Sequence, residues 1–450
     1  MSLQTQILLY LGIYFLVILI FSIFISKKQT ENDFLISSRN RGWFSIGMSK
    51  FATSIGAVWF ISYTAYIYQY WIGTLALLLG FIIWLFILWY YIWPKLAKIW
   101  KEKEFLKIWD IVYFKTKSKK LSEIINFLGS FMIFCWAFVW VVGWAKLIEY
   151  FWFLSYELSV VAIILFVLSY IIFIWYKWVI TTDIIQTIFI LTILFLIIGS
   201  FYFNNNLSTF DFGEVQFDEL SISTIVWFLI YWIFSSFSYI DRYQILLSWK
   251  DEKNIKKGFL FAVPLMIIAV ILLFVIWFFI RFSEVWLDPS LVFLKAIESY
   301  IPQVIIPFAI VMFFASIMSS LDSYLYWISS HFNILKIKNK VTNIRINSFI
   351  LSIFILIVSI IFNDIIDITV FATWFALVLS VPMIYIFFWK NFEKTLKNKS
   401  RMLFSIIFSV IWLFVWIALF WLNPTIALFP LVFWAIWLLL NIERVNSYLK

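Results

Sequence analysis

The chain is poor in the residues that covalent chemistry needs. Its one cysteine, Cys135, permits no internal disulfide, and its one histidine, His331, cannot build a histidine-rich metal site. No HExxH pair, phosphate-binding glycine loop or serine-hydrolase elbow occurs. No enzyme activity and no coupling to ATP hydrolysis within the chain are therefore expected. Charge is scarce as well: 13% of the 450 residues are charged, against 64% apolar, too little polar surface for a soluble globule of this size. Glycine is the last shortage, with 11 glycines beside 27 tryptophans.

What is present is a succession of apolar segments, each close to the ~18–25 residues that cross hydrocarbon as a helix. They fall at about 4–26, 44–68, 71–93, 121–148, 157–176, 179–203, 222–247, 259–282, 302–330, 346–362, 368–389, 402–422 and 425–442, thirteen in all. The alternation of barrel strands is missing, so the expected fold is an all-α integral membrane protein of about 13 transmembrane helices. Gln6–Ile25 has no basic leader and no small-residue cleavage site, and reads as a retained span.

The net charge of +10 is spread over short loops that recur on one side of this topology: Lys27, Lys28, Arg39 and Arg41, then 95–120, 250–257, 336–345 and 390–401. The opposite loops, "NNNLSTFDFGEVQFDEL" and "NDIID", are acidic. The positive-inside rule then places the N-terminus outside and the C-terminus in the cytoplasm of a plasma-membrane protein, and makes the partner of the basic loops the lipid bilayer and not nucleic acid. The basic stretch after Pro94 is amphipathic and is expected along the inner surface.

Polar residues at membrane depth are costly and face cavities or partners. Four clusters qualify. "GMSKFATSIGAVWFISYTAY" brings Ser49, Thr53 and Ser54 into the second span, with Lys50 expected to snorkel inward; "TTDIIQT" puts Asp183, Gln186 and Thr187 on one helical face. "SSFSYIDRYQ" closes the seventh span with Asp241, Arg242 and Gln244, and "ASIMSSLDSYLYWISS" lays Ser316, Ser319, Ser320 and Ser323 in a stripe. Serines in such a stripe either let helices approach closely or, with carbonyls freed at a helix break, offer the oxygen ligands that a hard cation prefers. Asp241 is equally an interfacial partner of Arg242 or a solute contact, and His331 is expected at the interface.

These stretches resemble the sodium/solute symporters, the family of the sodium/proline, sodium/pantothenate and sodium/galactose transporters. "SSRNRGWFSIGMSKFATSIGAVWF" is similar to the family's first core helix, "YKWVITTDIIQTIFI" to its Thr-Asp-x-x-Gln helix opening and "DRYQILLSWKDEKNIKKG" to its Tyr-Trp-Gln stretch and lysine-rich turn. "SIMSSLDSYLYWISSHFNILK" is similar to its ion-site helix and "IIDITVFATWFALVLSVPMIYIFFWK" to its tenth core helix. The resemblance implies two inverted five-helix repeats with broken first helices, a LeuT-like fold. Residues 1–43 precede them as a peripheral helix and basic loop, 44–203 and 204–389 form the repeats, and 390–450 add two peripheral helices. It also implies sodium as the coupling ion and no organic cofactor, with sodium held by the carbonyls of Ala52, Ile55 and Ser316 and the hydroxyls of Ser319 and Ser320. Asp183 matches a residue of a further cation site or the ion's exit path.

The expected function is sodium-driven import of a small organic solute, an amino acid, sugar, carboxylate or vitamin, by alternating access. Tyr63, Tyr66, Asp241 and Gln244 are candidates for the solute cavity, expected between the second, fourth, seventh and eleventh spans. Proton coupling through Asp183 is one alternative; a solute sensor that does not transport is another.

The tryptophans fit none of this. Transmembrane bundles favour glycine at close helix contacts. An interfacial aromatic belt accounts for Trp286 or Trp421 but not for Trp327 in the middle of a span. Trp93 stands before Pro94, Trp178 occupies a family turn-glycine position, and Trp374 lies inside a core helix. The pattern raises the reading that many of these positions are glycine in the living protein, encoded by UGA.

Overall fold

The computed structural model describes residues 1–26, 41–55, 58–103, 105, 108–151, 154–171, 176–203, 222–235, 237–239, 243, 248–283, 287–332, 337–388, 396–420, 430–432, 434 and 436. Every regular element among them is helical. In chain order the α-helices are α1 (Leu3–Ser26), α2 (Trp43–Ile55), α3 (Thr64–Tyr70), α4 (Leu75–Leu85), α5 (Trp93–Glu102), α6 (Ile108–Thr116), α7 (Lys119–Tyr150) and α8 (Tyr156–Ile171). They continue as α9 (Tyr176–Phe203), α10 (Ile222–Ser235), α11 (Glu252–Ser283), α12 (Val292–Tyr300), α13 (Ile306–His331), α14 (Lys340–Ile361), α15 (Ile365–Phe388) and α16 (Leu396–Phe420).

Eight helices among the described residues are long and apolar enough to cross a bilayer, and three shorter apolar stretches lie at Leu75–Tyr90, Tyr156–Ser169 and Thr224–Ser235. The last expected span, 425–442, falls almost wholly outside the described residues. The expected second span is not a uniform α-helix: among its described residues a π-helical stretch, Val58–Tyr63, lies between α2 and α3. The seventh is interrupted as well, since α10 stops at Ser235 and Phe237 and Ser238 form a turn.

Local chemistry sets several helix ends. Ser118 caps α7 by accepting from the Leu121 amide at 3.3 Å, and Asn339 caps α14 by accepting from Thr342 at 3.0 Å. Pro307 sits in the first turn of α13, where its missing N–H costs nothing. The basic stretch after Pro94 forms α5 and α6; α6 buries Ile108, Trp109, Ile111 and Val112 and packs on α7.

The packing repeats when the two halves are exchanged. α10 packs on α4 as α2 packs on α11, α15 packs on α7 as α9 packs on α13, and α10 meets α15 as α2 meets α9. Such paired contacts are what two inverted repeats produce around a pseudo-two-fold axis. α13 lies innermost: every residue from Phe313 to His331 is buried. Its polar side chains therefore face protein and not lipid.

Candidate functional site

Three helices, α2, α9 and α13, meet in mutual contact. At their junction lies a cluster of buried oxygen atoms. Ser49 on α2 donates its hydroxyl to Asp183 Oδ2 on α9. Thr187, one turn further along α9, donates to the Met48 carbonyl at 2.8 Å and to its own Asp183 carbonyl at 2.9 Å, and so ties the two helices by backbone as well. On α13, Ser319 Oγ donates to the Ser316 carbonyl at 3.0 Å.

Around these bonds is a set of polar atoms with nothing to bind. Asp183 Oδ1, both side-chain polar atoms of Gln186, the hydroxyls of Ser316, Ser320 and Ser323, and both oxygens of Asp322 are buried with no hydrogen-bond partner. Ser323 lies beside Asp322 without hydrogen-bond geometry. Buried polar atoms are nearly always paired, because desolvation without a partner is costly, so a concentration of exceptions marks a place built for something else. Ala52 and Ile55 contribute a further feature. Both lie near the C-terminal end of α2 as far as it is described, on the helix that carries Ser49, and both are fully buried.

The site contains a residue that the serine-stripe reading passed over. Asp322 is fully buried and within electrostatic reach of Asp183, and neither carboxylate has a cationic partner among the described residues. Its spacing of three from Ser319 placed it on the same helical face, a signal present in the sequence. Tyr14 of α1 also reaches this region, its hydroxyl 3.5 Å from Met318 Sδ.

Two expectations are corrected by burial. Lys50 does not snorkel to the interface: it is 1% exposed, with its ammonium 5.8 Å from the centroid of the Trp93 ring. Holding the chain beside it, the Trp93 face supplies a cation–π contact that a solvated lysine would not need. His331 is not interfacial either; it is buried, edge-on to Trp109 at 4.5 Å.

A second feature lies beyond α2. Tyr63 and Tyr66 line a small cavity of about 20 Å³ with Ser62, Leu77, Trp59, Trp136, Trp227, Tyr231, Trp232, Thr369 and Thr373. These residues come from the π-helical turn, α3, α4, α7, α10 and α15. Ser62 and Thr369 share a hydrogen bond of 3.1 Å across it, Thr373 donates to the Thr369 carbonyl at 2.7 Å, and the Tyr63 and Tyr66 hydroxyls have no partner. Asp241 and Gln244, the other two cavity candidates, lie outside the described residues.

One solved structure shares the architecture. A substrate-bound, outward-open Na+-coupled sialic acid symporter, described as revealing a novel Na+ site, superposes with a TM-score of 0.71 over 95% of this chain and 96% of that one, at 17% identity. A mutant manganese transporter from Eremococcus coleocola matches more loosely, at a TM-score of 0.47 and 15% identity over 93% of this chain and 95% of that one. No curated protein matches by sequence. The family model described as the sodium:solute symporter family matches residues 34–422. With its paired helix contacts, the π-helical stretch in its second span and that match over most of its length, the chain belongs to the sodium:solute symporter family.

Proposed function

We propose that this protein imports a small organic solute into the cytoplasm by coupling it to sodium. The observation that carries the reading is the junction of α2, α9 and α13: a buried interior concentrating hydroxyl, carbonyl and carboxylate oxygens, several of them without partners. Oxygen ligands of this kind replace the hydration shell of a hard cation, and carbonyls freed at a helix break supply the rest. Sodium is held by the carbonyls of Ala52, Ile55 and Ser316 and the hydroxyls of Ser319 and Ser320. Two of these groups already stand together in the Ser319–Ser316 bond.

The solute occupies the cavity beside the π-helical stretch, where Tyr63 and Tyr66 present free hydroxyls. Ala52 and Ile55 of the sodium site and Ser62, Tyr63 and Tyr66 of the cavity belong to the same span, so filling the first orders the second. Sodium binding stabilises an outward-open state, and rocking of the bundle then exposes both ligands to the cytoplasm. The repeats run 44–203 and 204–389, with the N-terminus outside and the C-terminus inside.

One observation favours a second reading. A pair of carboxylates, Asp183 and Asp322, with no cationic partner among the described residues can carry a proton in place of a metal ion. A thermal-shift titration with NaCl against KCl, repeated on the Ser319→Ala, Ser320→Ala double variant, separates the two. Sodium-selective stabilisation that the variant loses supports sodium at the serines. Proteoliposomes in which a pH gradient alone drives uptake would favour the proton.

A further inference from the structure

The tryptophans that the sequence left unexplained pack at the centre of the molecule. Twelve of the 27 are among the largest fully buried side chains, Trp327 and Trp374 included. An interfacial belt therefore does not account for them. A buried indole normally finds an acceptor for its N–H. The indole nitrogens of Trp59, Trp136, Trp140, Trp227, Trp327 and Trp374 have no hydrogen-bond partner among the described residues. Orphaned donors on this scale are not what a folded interior shows.

The cavity gives an independent observation. Trp59, Trp136, Trp227 and Trp232 stand in its wall, the Trp59 and Trp232 rings stacked 5.7 Å apart. They leave about 20 Å³, room for about one water molecule, whereas small-molecule sites run to roughly 300–1,000 Å³. The remaining lining consists of Leu77 and the hydroxyl-bearing Ser62, Tyr63, Tyr66, Tyr231, Thr369 and Thr373, a wall suited to a hydrogen-bonding solute and blocked by indoles. Composition points the same way. Ordinary usage of about 7% glycine would put about 32 glycines in a chain of this length, where 11 are present.

We propose that Trp59, Trp136, Trp227 and Trp232 are glycines in the protein as its own cell makes it, because UGA codons at these positions are decoded there as glycine. Glycine removes the orphaned N–H groups of Trp59, Trp136 and Trp227 and returns the space of four indoles to a hydroxyl-lined chamber. It also loosens the chain at Trp59, inside the π-helical stretch Val58–Tyr63, where an irregular helix needs backbone freedom. The inference does not depend on which ion or solute is carried.

Two measurements test it together: the codons at the four positions, and peptide mass spectrometry of the protein purified from the cells that carry the gene. UGA codons with peptides that carry glycine there, lighter by one indolylmethyl group at each position, are expected. UGG codons at these positions overturn the proposal. So do UGA codons with peptides that retain the full tryptophan mass.

Discussion

Ser49 on α2 donates its hydroxyl to Asp183 on α9, across 134 residues of chain and at a point where both side chains are buried. This bond joins the helix that carries Ala52 and Ile55 to the helix that carries Asp183. Anything that moves Asp183 therefore reaches Ala52 and Ile55 through one helix.

Ser49→Ala leaves both oxygens of Asp183 without a partner. The expected cost is about 1–3 kcal/mol of stability in sodium-free buffer. Thermal denaturation of the purified protein reads it, and Asp183→Asn in the same background should recover part of the loss, because the unpaired buried group is then no longer an acid.

Ser320→Ala separates a structural serine from a ligand. The Ser320 hydroxyl is buried with no partner, so its removal should leave the sodium-free protein as stable as before or slightly more so. Affinity for sodium should fall at least tenfold, or about 1.4 kcal/mol. A variant equally destabilised with and without sodium would place Ser320 outside the ion site.

Asp322→Asn removes one of two acidic groups that lie within reach of each other. Stability without sodium should be unchanged or higher. With sodium as the driving ion, uptake persists at weakened sodium affinity; with a proton as the driving ion, uptake driven by a pH gradient is lost. Flux in proteoliposomes under each gradient distinguishes them.

Outside the spans, Glu298 on α12 accepts from the Tyr150 hydroxyl at 2.5 Å and from Lys295 at 3.3 Å. The tyrosine bond, helped by Lys295, holds its carboxyl below the usual value of 4.5. A carboxylate stabilised in the fold contributes stability above its unfolded value and loses it as pH falls through the folded one. Tyr150→Phe should therefore lower the melting temperature slightly at pH 7 and flatten its decline below about pH 4.5. The effect is small because the side chain is half-exposed.

Much of the candidate site was legible in the sequence. Ser319, Ser320, Asp183 and the interrupted second span stand out because polarity inside a long apolar run is conspicuous by itself. Asp322 carried the same signal, three residues from Ser319, but an aspartate among serines does not declare which neighbour it meets. Lys50 and His331 misled for the converse reason. Near a span's end a charged or titratable side chain can reach water or turn inward, and only the rings of Trp93 and Trp109 decide it.

By itself the sequence determined that the chain lives in a membrane and is built of apolar helices, since hydropathy and helix length are properties of a segment taken alone. Only the tertiary structure decided that α2, α9 and α13 share one interior, that Asp183 and Asp322 come within electrostatic reach of each other, and that four indoles fill the cavity between the halves. Those relationships join residues far apart in the chain, and they depend on which faces of separate helices pack together, which no single segment encodes.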